Sequence, residues 1–179
     1  MYMLKLSKTL FNQPVISLRS GGQIAVATEP IINPHNLKIL GWWCRERGHT
    51  KSMVLLSEDV RKLAASGLAV DSEEALSAPE DLVRHKEIMD IHFILLDILV
   101  RTDKRKLGKV SDFSYNDGLF VQKLYVAKPL AHVFTMVDTL LIDRSQIVEV
   151  TNQYILVNEA DIKVTESELA NAPDIAPAV

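Results

Sequence analysis

Two blocks of residues recur in the same order along this chain, so it must fold twice into one small architecture. The first block runs PVISLRSGGQIAVATEPIINPHNLKIL from Pro14 to Leu40 and returns as DILVRTDKRKLGKVSDFSYNDGLFVQKL from Asp97 to Leu124. Ile24-Ala25 lies over Leu107-Gly108, Glu29 over Asp112 and Asn33 over Asn116, a shift of 83 (107 − 24). The second block, LLSEDVRKLAASGLAVD from Leu55, returns as IDRSQIVEVTNQYILVN from Ile142, a shift of 87 (142 − 55). Val60, Leu63, Leu68 and Val70 thereby fall on Ile147, Val150, Ile155 and Val157. Short apolar runs match by chance, but two blocks in order and at nearly constant spacing describe a duplicated unit of roughly 80 residues.

Each copy reads as β. Val15-Ile16-Ser17-Leu18 and Ile98-Leu99-Val100 are short runs that end at polar turns. Gly21-Gly22 suits a turn with positive φ, and Asn116-Asp117-Gly118 is a strong hairpin signal. Ser57 with Glu58 and Asp59 is placed to cap one helical turn. Between the copies, Ser77-Ala78-Pro79-Glu80 reads as a capping box ahead of Leu82, Val83 and Met89, which predicts a helix over roughly 78–90. The expected boundaries are a first barrel over 1–76, a connecting helix over 77–91, a second barrel over 92–166 and a disordered Ala/Pro-rich tail over 167–179.

The phrase formed by Leu10, Pro14, Val15, Ser17, Gly21, Ile24, Ala25 and Glu29 resembles the opening of a PRC-barrel domain. Leu107-Gly108-Lys109-Val110-Ser111-Asp112 is closer still to that family's usual pattern, and Leu56-Ser57-Glu58-Asp59-Val60 is similar to the segment before its last strand. The family includes the cytoplasmic domain of the photosynthetic reaction-centre H subunit and the C-terminal domain of the ribosome-maturation factor RimM. The resemblance covers about residues 6–71 and 93–162, and implies a binding and assembly module. It departs from both relatives: there is no membrane helix, and the first half reads as another barrel. Ala25 stands where the family expects glycine. The fold expected is mainly β: two tandem small PRC-like β-barrels joined by a connecting helix.

Function is far less constrained. The formal charge of −3 and pI of about 5.9 disfavour wholesale attraction to nucleic acid, so any anion contact is local. Cys44 is the only cysteine, which leaves no intrachain disulfide or thiolate cluster and fits a cytoplasmic protein. No signal-like or membrane-spanning run is present, so no membrane insertion is expected. His35, His49, His85, His92 and His132 are scattered without metal-ligand spacing, and no cofactor is expected. Gly108-Lys109 lacks the upstream glycine and the following Ser/Thr of a phosphate loop. Repeat-related Glu29 and Asp112 are read as bonding backbone amides at a bend, and no nucleophile–base arrangement stands out, so a catalyst is not expected.

Two places remain as candidate binding residues. Arg101, Lys104, Arg105, Lys106 and Lys109 form the most basic stretch, for which the bland reading is a solvated hairpin end and the sharp one an anion or partner contact. The first copy carries Arg19 in that turn but no such run. Trp42 and Trp43 are adjacent on an expected strand, where one enters the core and the other reaches the surface as a candidate interface anchor. The leading expectation is a non-enzymatic adaptor with an unidentified protein partner. An RNA- or ribosome-associated factor is the alternative, a small-ligand or enzymatic role in a pocket between the barrels is the third reading, and the adaptor reading allows homodimerisation through uncovered strand edges.

Overall fold

The computed structural model describes residues 4–46, 48, 50–128 and 139–158; the expected C-terminal tail, His49 and His132 lie outside the described residues. The chain is mainly β, with two curled half-barrel sheets and one short helix among the described residues. By contacts it divides into two units, Met1–Leu95 with Ser114–Gln122, and Leu96–Phe113 with the chain from Lys123 onward.

In the first unit the strands are β1 (Lys5–Leu6), β2 (Gln13–Ser17), β3 (Gln23–Asn33), β4 (Lys38–Glu46), β5 (Ser52–Leu56), β6 (Val60–Ala64), β7 (Gly67–Val70) and β8 (Leu76–Ser77). The sheet order is β6-β7-β2-β3-β4-β5-β8, and all neighbours are antiparallel except β2 and β7. Strand alternation sends Val15, Ala25, Ala27, Trp42, Cys44, Leu68 and Val70 inward, all at most 2% exposed.

The second repeat supplies β9 (Leu99–Arg101), β10 (Lys106–Tyr115), β11 (Val121–Ala127), β12 (Thr139–Asp143), β13 (Ile147–Val150) and β14 (Tyr154–Val157). Their order, β12-β11-β10-β9-β14-β13, repeats β5-β4-β3-β2-β7-β6, including the single parallel pair. The duplication holds at single-residue register. Val60 faces Val70 and Lys62 faces Ala69 around a bulge at Arg61; 87 residues on (147 − 60), Ile147 faces Val157 and Glu149 faces Leu156 around a bulge at Val148. Even the left-handed residues recur: Asn12 and Asp97 at φ 53° and 64°, Leu37 and Leu119 at 54° and 60°.

The first block needs one adjustment. Val15 faces both Ala25 and Leu68, and Val100 faces both Gly108 and Ile155, so β2 maps to β9 with a shift of 85 (100 − 15) rather than 83. The hairpin turn is two residues shorter in the second copy. Six residues, 17–22, link the flanking pair Ile16 and Gln23; four, 102–105, link Arg101 and Lys106.

The expected connecting helix is shorter than its sequence suggests. Pro79–Asp81 and Val83–His85 are single 3-10 turns, and only Lys86–Ile91 (α1) is α-helical. Ser77 does not cap it, because its backbone pairs with Val54 in β8, and Leu82 at φ −89°, ψ 57° breaks the helical path. Likewise Leu56, not Ser57, occupies the cap of the Ser57–Asp59 turn, whereas its counterpart Asp143 builds a true capping box with Gln146. Among the described residues no helix is long and apolar enough to cross a membrane.

The tip of the β10–β11 hairpin belongs to the first unit because that unit satisfies its polar groups. Lys5 and Leu6 pair with Tyr115 and Ser114, and the Thr9 and Tyr115 hydroxyls lie 2.7 Å apart. Ile39 N–H donates to the Leu119 carbonyl at 2.8 Å and Val121 N–H to the Leu37 carbonyl at 3.0 Å.

Candidate functional site

The sequence-level candidates separate into two groups. Trp42 lies wholly in the first unit's core at 0% exposure. Trp43 points out of the sheet but is half-buried: its ring stacks on His92 at 5.8 Å, and it packs against the cluster of Ile31, Val54, Leu56 and Met89. Both indoles are therefore engaged within their own unit. Asp112 accepts the Phe113 N–H at 2.7 Å, the bend contact expected of it, whereas Glu29 is exposed. No group of three or more His, Cys, Asp or Glu suited to a metal occurs among the described residues.

Cys44, the one sulfur nucleophile, is shut away. It is 2% exposed, its Sγ–H points to the Trp42 carbonyl at 3.7 Å, and burial pushes its pKa up to about 12. At pH 8 roughly one thiol in ten thousand would be thiolate, the reactive form. Iodoacetamide is thus expected to leave the native protein unmodified and to alkylate it promptly in guanidinium. Rapid alkylation of the folded protein would contradict this burial.

The basic stretch divides between a turn and a sheet face of the second unit. Thr102, 1% exposed, organises the turn: its Oγ accepts the N–H groups of Lys104 and Arg105 at 3.3 and 3.1 Å, and its own N–H donates to the Arg105 carbonyl at 2.8 Å. Directly paired residues share a face, so the register fixes which side chains assemble. Lys109, Leu99 and Tyr154 form one row across the outer face; Lys106, Arg101, Leu156 and Glu149 form the next. Val100, Val110 and Ile155 point the opposite way and are buried. Arg101 is not a dangling cation: its guanidinium lies over the Tyr154 ring at 5.3 Å, and the Tyr154 hydroxyl donates to Glu149 at 3.2 Å. Lys106 and Lys109 are exposed.

The first unit uses the same lattice differently. Gln23, Ile16, Ala69 and Lys62 occupy the positions of Lys106, Arg101, Leu156 and Glu149, and Val26 and Pro14 those of Lys109 and Leu99. The first face carries its cations, Lys62 on β6 and Arg45 opposite Val26 on β4, away from β2 and β3; in the second copy Arg101, Lys106 and Lys109 sit on the matching strands β9 and β10, with Glu149 beside them. A second difference lies at the adjoining edge. Arg61, the bulge residue of β6, holds Asp71 through its Nε, at 2.9 and 3.0 Å, and its Nη2, at 2.5 Å, which pulls the Asp71 carboxyl below the usual range. The matching residues in the second copy are Val148 and Asn158, which carry no charge. There the surface opens into a concavity of about 420 Å³, walled by Thr102–Lys104, Val148 and Leu156–Asn158.

Neither the divergence of the outer face nor the lost ion pair has a sequence motif; both emerge once strand register shows which residues are neighbours. No family model matches the chain, and no curated protein matches it.

Proposed function

We propose that this chain is a non-enzymatic cytoplasmic adaptor in which the second unit engages a partner through its outer sheet face. The observation that carries the reading is the change from Gln23, Ile16 and Val26 to Lys106, Arg101 and Lys109 on otherwise register-matched sheets. Two copies of one scaffold, only one with cations on the strands that match β2 and β3, suit a division of labour between a structural and a recognising module. The PRC-barrel resemblance of both repeats points the same way, since that family's members bind and assemble. Cations on a face of this kind contribute specificity and association rate more than raw affinity.

The test is a comparison of protein captured from native cells by wild type and by Lys106→Glu/Lys109→Glu, both with unchanged melting temperature. The variant is expected to lose the stoichiometric partner; equal recovery on both would sink the proposal. A ribosome- or RNA-associated role is the second reading, favoured by Lys104 and Arg105 in the adjoining turn. Its mark would be retention that falls linearly in log affinity with log salt.

A further inference from the structure

We infer that residues 159–179, the segment that follows β14, fold back in cis over the cationic outer face of the second unit and screen it from partners. The inference rests on the adaptor reading for what the face recognises, and adds to that reading its regulation. The segment carries Glu159, Asp161, Glu166, Glu168 and Asp174 against one base, Lys163. The face beside it has the opposite sign. Arg101, Lys106 and Lys109 stand on two neighbouring rows with one acid, Glu149, which accepts the Tyr154 hydroxyl. Lys106 and Lys109 are exposed, and neither makes an ion pair among the described residues.

Reach favours this occupant. β14 ends at Val157, and Leu156 already stands in the row of Arg101 and Lys106. Crossing from β14 over β9 to β10 is about 10 Å at the usual strand spacing, a distance that about three extended residues span. Glu159 and Asp161 therefore come within reach of Arg101 and Lys106. The first repeat sets a precedent. There the chain beyond the closing strands returns to its own sheet, and Leu82, Ile88 and Met89 pack in one cluster with Trp43 and Val54, which face each other. Residues 79–91 do this in the first repeat; 87 residues on (166 − 79) lie 166–178. Trp43 and Val54 correspond to Tyr125 and Leu141, a facing pair that is half-buried. Val164, Leu169 and Ile175 bring apolar side chains among the acids. Exposed ion pairs are individually weak, so the tether's effective concentration holds the segment while a tighter partner can displace it.

The experiment is a paramagnetic relaxation measurement on the full ¹⁵N-labelled chain with a nitroxide at Ser167→Cys; the Cys44 thiol is buried and stays unlabelled. The amides of Leu99, Arg101, Lys106 and Lys109 are expected to lose most of their intensity. They are expected to recover it in about 1 M salt, where the screening length falls to about 3 Å. The same recovery is expected in Glu159→Gln/Asp161→Asn/Glu166→Gln/Glu168→Gln/Asp174→Asn, which without the nitroxide should capture several-fold more partner from native cells than wild type. Unbroadened amides, or broadening that survives the five replacements, overturn the inference, as does equal capture of a partner that Lys106→Glu/Lys109→Glu loses. Broadening carried from a nitroxide-bearing chain to a separate ¹⁵N chain also overturns it, because the segment then reaches a second copy. So does oligouridine shifting those amides equally in wild type and variant, which marks a face the segment leaves open. Lys106→Glu/Lys109→Glu separates the two levels. A partner lost in that variant, with no broadening in the nitroxide chain, removes the segment's contact and keeps the adaptor. Broadening with undiminished capture by that variant removes the adaptor and keeps the contact in cis.

Discussion

Gly108→Ala is expected to destabilise the second unit by about 3 kcal/mol or more, and to lower its melting temperature by roughly 6–12 °C. Gly108 sits just past the bulge at Leu107, at φ +154°, a backbone state that residues with a Cβ rarely adopt. An added Cβ would lie 2.8 Å from the Ala127 carbonyl carbon and closer still to its oxygen, with Val126 Cγ1 at 3.1 Å. The obstacle is the backbone of the neighbouring strand, so no side-chain rotation relieves it. The first copy provides an internal control. Ala25 occupies the matching position opposite Val15 and is not among the positive-φ residues, so Ala25→Gly is expected to cost only about 0.5–1 kcal/mol. Thermal melts followed by circular dichroism check both, and a Gly108→Ala midpoint within about 2 °C of wild type would refute the strain.

Trp42→Ala is expected to cost about 3–5 kcal/mol through the cavity it leaves. Trp42 is the largest fully buried side chain of the first unit, and its place opposite Leu55 is taken in the second by Leu124 opposite Ile142. Its indole N–H has no hydrogen-bond partner among the described residues, so removing the nitrogen breaks no bond. Trp42→Phe should consequently cost only about 1–2 kcal/mol, the price of lost volume alone. Urea denaturation of the two variants separates these contributions. If the phenylalanine variant falls as far as the alanine one, the indole nitrogen has a structural role that its surroundings do not suggest.

How far the sequence anticipates the structure depends on what each block encodes. From Leu55 onward the repeat reads true to the residue, because Val60, Leu68 and Val70 recur with an unbroken spacing between short strands. Upstream, the shift of 83 holds for β3 and β10 but slips by two for β2 and β9. Apolar alternation has a period of two, so a two-residue slip keeps every side chain on its face and leaves no trace in the pattern. The helix expected over 78–90 is longer than the observed Lys86–Ile91 because a Ser-x-x-Glu pattern says nothing of whether the serine's backbone is already committed to a ladder. The candidate site shows the same divide. The lysines between 104 and 109 are visible in one dimension, but Arg101's stacking on Tyr154 is not. The exchange of Arg61 and Asp71 for Val148 and Asn158 is present in the alignment of the second block. It carries meaning only once the hairpin register makes those two residues neighbours.

The reciprocal bonds at the hairpin tips have a consequence for how this molecule holds together. Ile39 gives its N–H to Leu119, and Val121, which matches Ile39 in the other repeat, gives its own to Leu37, the match of Leu119. Each tip thus does for the other what it receives, and both bonds lie within the first unit. Covalent linkage turns that exchange into an intramolecular one, governed by a fixed effective concentration instead of by dilution. A fragment cut between the repeats would strand the Ile39 N–H and the Leu37 carbonyl, and would regain their partners only by finding a second tip.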